Sequence, residues 1–161
     1  MYQHILLPVD LGNESSWVKA LPTAIEYCGA FGATLHVMTV MPDFGSPMVA
    51  QFFPSGHEDQ MMANANEVLH KFVADRVPDT IKVQHIIADG SIYKTIIDTA
   101  EDIGADLIIM GSHRPELQDD PLGPNAARAV RHSTKSVRVV RCNRPPESGL
   151  PVSLSGGGLR E

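Results

Sequence analysis

The chain has 161 residues, 43% of them hydrophobic and 20% charged, with a formal net charge of −6. That size suits one domain with a proper core, and the acidic balance excludes a global field that would draw in nucleic acid. No run approaches the roughly 18 apolar residues of a membrane span, and no basic segment precedes a long apolar one at the N-terminus, so neither a membrane partner nor a secretory signal is expected.

Tyr2 to Asp10, YQHILLPVD, reads as a buried strand ending at an acid. A carboxylate at the C-terminal end of a first parallel strand commonly faces a ligand. The same residue type also forms turns, and LGNESS follows, so Asp10 carries both readings. Trp17 to Phe31 has apolar residues at Val18, Leu21, Ile25 and Cys28, which is helical spacing. Pro22 then requires either a kink or a helix that begins late enough to hold it in the first turn. Gly29 and Gly32 mark its end.

Thr34 to Met41, TLHVMTVM, is a second strand, with His36 inside it as a packed or exposed residue in preference to a ligand. Pro42 to Gly56 has no clear period and reads as a long loop whose Phe44, Met48, Val49, Phe52 and Phe53 fold back onto the core. His57 to Val77 is a helix with Met62, Ala65, Leu69 and Phe72 on one face, ended by Pro78. Thr80 to Ala88, TIKVQHIIA, alternates, as an edge strand with one wet face does. Asp89, Gly90 and Ser91 turn into a helix with Ser91 as N-cap, Ile92, Ile96, Ala100 and Ile103 as its face, and Gly104 past its end.

The stretch from Ala105 to Asn125, ADLIIMGSHRPELQDDPLGPN, holds the strongest chemical signal. A hydrophobic run, Leu107 to Met110, stops at Gly111, Ser112, His113 and Arg114, and Gly123, Pro124 and Asn125 lead into a helix over Ala126 to His132. A buried strand, a small-residue loop and a helix start form a phosphate-binding geometry, with converging backbone N–H groups and a favourable dipole. An ordinary strand-to-helix connection has similar composition. Ser136 to Arg141, SVRVVR, is a last strand, and the Pro/Gly/Ser-rich remainder, 143–161, is a tail outside the domain of residues 1–142. Cys28 and Cys142 lie far apart without a CxxC pattern, so free thiols in a cytoplasmic protein are expected.

Strands alternating with helices imply an α/β doubly wound parallel sheet of five strands with helices on both faces. Alternation at Thr80–Ala88 and at the last strand puts both at edges. Tyr2–Asp10 and Ala105–Met110 are then central, in the order 3-2-1-4-5. Ligands bind outside the carboxyl ends of the strands at the switch point of such a sheet, where Asp10 and Gly111 meet.

With ILLPVD at the start, LHVMTVMP at the second strand and MGSHRP…LGPNAARAVRHSTKSVRVVR near the end, Tyr2 to Arg141 resembles a universal stress protein. Nucleotide-binding members of that family carry Gly-x2-Gly-x9-Gly-(Ser/Thr) after the fourth strand. Here Gly111 matches the first position, Arg114 replaces the second glycine, Gly123 comes one residue early and Pro124 replaces the hydroxyl residue. The resemblance implies an adenine nucleotide, ATP or another, with an altered phosphate end. Pro8, Val9 and Asp10 would meet the base and ribose, and Val40 the adenine through its backbone. Gly111, Ser112, His113, Arg114, Gly123 and Asn125 would meet ribose and phosphates, with Asn125 also capping the helix. Mg²⁺ would be held through the phosphates, with Asp119 and Asp120 nearby in the loop.

No catalytic residue and no protein metal site is assigned. The sequence has no Walker lysine at the loop, no serine elbow and no histidine–carboxylate cluster at metal spacing. The resulting reading is a regulatory nucleotide-binding protein with a protein partner and a homodimer contact through the C-terminal strand. Its alternatives are a ligand-free dimeric interaction module and a slow ATP-hydrolysing enzyme.

Overall fold

The computed structural model describes residues 1–42, 47–51, 56–112 and 122–141. Its strands are β1 (His4–Pro8), β2 (Thr34–Met41), β3 (Val83–Asp89), β4 (Leu107–Ser112) and β5 (Ser136–Arg141). The helices are α1 (Ala20–Phe31), α2 (Pro47–Ala50), α3 (His57–Arg76), α4 (Ile92–Asp102) and α5 (Pro124–His132), with a 3₁₀ turn over Glu14–Ser16. All strand pairs are parallel, in the order β3-β2-β1-β4-β5, as the alternation of the edges predicts.

The period-two side-chain alternation of β1 divides the core into two layers. Ile5, Leu7 and Val9 join Leu35 and Val37 of β2 and the buried faces of α1 and α3, including Ala24, Cys28, Leu69 and Phe72. Leu6 joins Met38, Ile108, Ile96, Ala100, Ala126 and Ala129 under α4 and α5. The central strands are buried on both faces, which is why their sequences read as near-continuous apolar runs. β1 is tied to β4 at its start: the Asp106 carboxylate accepts the N–H of Gln3 (2.7 Å) and of His4 (2.9 Å). Those two hydrogen bonds hold the Asp106 carboxyl below its ordinary pKa.

Several local expectations change. α1 begins at Ala20, so Pro22 falls in its first turn and no kink is needed. Val18 therefore precedes the helix and is 44% exposed, and Ala20 and Ala24 complete the buried face with Leu21 and Cys28. Burial raises the Cys28 thiol to about 11, which makes it an inert packing group. The stretch after β2 is not wholly a loop, since it contains the four-residue α2. Met48 does not fold back there but is 76% exposed. Phe44, Phe52, Phe53 and the tail from 143 lie outside the described residues. β3 starts at Val83, three residues later than its composition suggests. Ser91 occupies the N-cap of α4, but its hydroxyl makes no capping hydrogen bond. Among the described residues, no helix is long and apolar enough to cross a membrane.

On the outer strand, His85 stacks on His70 of α3, with ring centroids 3.7 Å apart and planes 19° from parallel. Burial first, and the neighbouring His70 second, push the His85 imidazole below its ordinary pKa. A group with a depressed folded pKa binds its proton more readily in the unfolded chain, so its contribution is present above the unfolded pKa and is lost as pH falls through the folded one. We expect the melting temperature to drop as pH is lowered from about 7 to about 5, a window set by the histidine pKa of about 6.5 and above most carboxylate titration. Melting curves of His85→Phe should fall less steeply over that window; an unchanged slope would remove His85 as a contributor.

Candidate functional site

β1 and β4 are neighbours over only two register pairs, Ile5 with Leu107 and Leu6 with Ile108. Beyond them β1 stays with β2, through Pro8 opposite Met38 and a 2.7 Å hydrogen bond from Val9 N–H to the Met38 carbonyl. β4 stays with β5 as far as Ser112 opposite Arg141. The two central strands thus part company, and a crevice opens between their carboxyl ends.

The 3₁₀ turn fills the lower part of that gap. Asn13 caps it, its side-chain oxygen accepting Ser15 N–H at 3.1 Å. The Ser16 hydroxyl accepts Asp10 N–H at 2.8 Å and faces the carbonyls of Asn13 (2.9 Å) and Asp10 (3.2 Å), so the turn is locked onto the end of β1. The Asp10 carboxylate accepts Gly12 N–H at 3.0 Å, a turn-forming contact. Both sequence readings of Asp10 therefore apply, since it shapes the turn and also lines the crevice.

Gly111 does not end β4 but lies inside it, paired with Val140. A Cβ at this position would stand 2.5 Å from the Ser16 carbonyl oxygen and 3.0 Å from that of Ser15. The missing side chain is thus explained by the approach of the 3₁₀ backbone, a reason different from the phosphate contact that the loop motif suggests. Ser112 is buried at 7% exposure and is not part of the cavity wall.

The far wall is the start of α5. Its N-cap is Gly123, with φ of 76°, a conformation that favours glycine. Pro124 is the first helical residue, so the helix begins two residues earlier than the apolar pattern marks. Asn125 consequently sits within the first turn and is not the cap. The backbone amides of Asn125 and Ala126 are first-turn donors that find no acceptor within the helix, and Pro124 has none to offer.

The crevice holds a cavity of about 230 Å³. Of the residues expected from sequence, it gathers Pro8, Val9, Asp10, Val40, Gly111, Gly123 and Asn125. His113 and Arg114 lie outside the described residues, as do Asp119 and Asp120. Ser16, Ile92, Ile96, Met110, Leu122, Pro124 and Ala126 complete the wall. Ile96 and Met110 resemble plain core residues in the sequence, because packing and the apolar side of a cavity select the same side chains. The hydroxyl of Ser16, six residues beyond Asp10, was the accessible clue to the turn that supports the site. Among the described residues, no three His, Cys, Asp or Glu side chains converge as a metal cluster.

A parallel five-stranded α/β sheet with a crevice at its switch point defines a doubly wound fold, and in such sheets that position commonly takes a ligand. A family model for the universal stress protein family matches residues 1–141, and the chain belongs to that family. Universal stress protein G of Shigella flexneri is 29% identical over 143 residues, which span 88% of this chain and all of that protein. The solved structure of MJ0577, a universal stress protein of Methanocaldococcus jannaschii, superposes with a TM-score of 0.66 at 26% identity, over 90% of this chain and 99% of that one. A universal stress protein solved in complex with cAMP shares the fold, with a TM-score of 0.61 at 20% identity over 87% of this chain and 97% of that chain.

The contact at Gly111 yields a ligand-independent expectation. Gly111→Ala forces the Ser15–Ser16 backbone away, an overpacking cost of about 1–3 kcal/mol. Urea unfolding of the unliganded variant should show that loss; an unaltered midpoint would mean that the 3₁₀ turn yields freely.

Proposed function

We propose that this is a cytoplasmic regulatory protein that binds an adenine nucleotide in the crevice and changes its contacts with a protein partner as the site fills and empties. The observation that carries this reading is the convergence on one crevice of chain segments far apart in sequence: Pro8 to Asp10, Val40, Gly111, and Gly123 to Ala126. Val9, Val40, Ile96 and Met110 offer apolar surface to a flat base. The first-turn amides of Asn125 and Ala126, with the α5 dipole behind them, suit an anionic group. A relative by fold is described in complex with cAMP, which is in keeping with a ligand of this class.

The site favours binding over catalysis. Asp10 is the one ionisable side chain among the described lining residues, and its carboxylate is engaged by Gly12. The cavity is smaller than the roughly 300–1,000 Å³ of most small-molecule sites. That suits the nucleoside end of the ligand, with phosphates extending outward from the start of α5. Mg²⁺ would then be held by phosphate oxygens and water.

Calorimetry with adenosine, AMP and ATP tests the reading. Arg114→Ala should weaken ATP more than adenosine, by about 1.5–3 kcal/mol for a lost charge-assisted contact. Gly123→Val should abolish binding of all three, because a branched side chain fills the space beside the first turn; its melting temperature without ligand reports the strain separately. Unchanged ATP binding in Gly123→Val would move the site elsewhere, and equal losses of the three ligands in Arg114→Ala would assign that arginine to loop shape.

The partner contact is proposed to include a second copy of the chain. Among the described residues β5 is an edge strand that pairs with β4 alone, and its exposure alternates over Ser136–Val139; an open edge of this kind is a template for pairing. Val139→Pro should interrupt that edge and give a folded monomer in sedimentation; a folded dimer would place the contact on another surface.

A further inference from the structure

Ser16 lines the crevice, and the next residue, Trp17, lines a second cavity of about 460 Å³. Val18, Leu21, Pro22 and Ile25 form its wall on the α1 side, and Arg76, the last residue of α3, faces them. Its volume falls within the roughly 300–1,000 Å³ of most small-molecule sites, which combine an apolar lining with a few placed polar groups. We propose that this groove is a second binding site, which takes a small carboxylic acid with an apolar body. The reading does not rest on nucleotide binding in the crevice.

The apolar half comes from α1 and the residues just before it. Leu21 N–H bonds the Trp17 carbonyl at 2.8 Å, so a helical turn reaches back over Val18. Val18, Pro22 and Ile25 then share one ridge. Val18 is 44% exposed and joins neither core layer, so its apolar surface does no work in the folded domain. The polar half is Arg76. Its guanidinium carbon lies 4.7 Å from the ring centroids of both Trp17 and Phe72, which meet edge to face at 5.0 Å. Two rings thus fix the position of one cation. A guanidinium held over aromatic rings keeps its in-plane N–H edges for a carboxylate, which accepts two parallel hydrogen bonds there. Among the described residues, Arg76 takes part in no ion pair.

Glu26 also lines the groove. It stands roughly 13 Å of helical rise beyond Trp17, so the two charges mark different ends and the acid's head belongs at the Arg76 end. There the apolar body meets the Trp17 ring and the Val18–Ile25 ridge. An amine in the same place would face a cation already seated on the rings.

Trp17 is the chain's one tryptophan, so its emission reports on this groove. Fluorescence and calorimetry of the full chain with 4-phenylbutyrate should show one equivalent bound and a change in emission. 4-Phenylbutan-1-ol and 4-phenylbutylamine keep the body without the carboxylate and should bind about tenfold more weakly or not at all. Arg76→Gln should cost the acid about tenfold and leave the alcohol unchanged, whereas Glu26→Gln should bind the acid at least as tightly as wild type. Val18→Asp, at an exposed position, should also weaken the acid, and Gly123→Val, whose change lies in the crevice, should not. Should Arg76→Gln fold poorly, Val18→Asp and the alcohol comparison carry the test. The proposal is overturned by an absence of binding in wild type at millimolar acid, by equal affinities for acid and alcohol, by unchanged affinity in folded Arg76→Gln, or by a loss confined to Gly123→Val, which would place the acid in the crevice.

Discussion

The wedge of the 3₁₀ turn between β1 and β4 is the contact on which the site depends. The chain reverses direction immediately after β1, and Ser16 ties that reversal back to Asp10 through its hydroxyl. The wedge can enter only because Gly111 has no side chain on the facing strand. With it seated, the central strands are held apart, and the ends of β1, β2, β4 and α5 face one another across a small cavity. Remove the close approach and the crevice loses its floor before any ligand is considered.

Much of this was legible in the sequence because burial leaves a periodic trace. Near-continuous apolar runs in β1 and β4 and alternation in β3 and β5 are consequences of two covered faces at the centre of the sheet and wetter edges. They suffice for the strand order. The convergence of Asp10 with Gly111 follows from that order alone. Close contacts between backbones leave no such trace. Gly111 looks like a loop glycine in the sequence, yet it is a strand residue with a carbonyl against its α-carbon. Asn125 looks like a cap, because Asn is a frequent one, yet Gly123 takes the position by adopting a φ that a capping Asn there would resist. Ile96 and Met110 could not be told from core, since the apolar half of a binding wall and the interior of a domain select the same residues.

The chemistry of the crevice is correspondingly spare. Apolar side chains supply most of its wall, and the directional groups belong to the backbone at the start of α5 and to the turn after β1. Backbone donors are indifferent to many substitutions around them. What they do not tolerate is a change in chain path, and here the path is set by two glycines for different reasons. Gly111 is required by what lies against it, and Gly123 by its own dihedral.

The Asp106 carboxylate has a mechanical meaning as well. It clamps the first residues of β1 to β4, two bridging pairs follow, and then no ladder remains between these strands. The centre of the sheet is therefore a fork with a riveted base and free tines. Spreading the tines to admit a bulkier guest breaks no hydrogen bond between β1 and β4, because none is left to break beyond Ile108. The resistance comes from the outer strands and the turn. Compliance is thus confined to the open end of the fork.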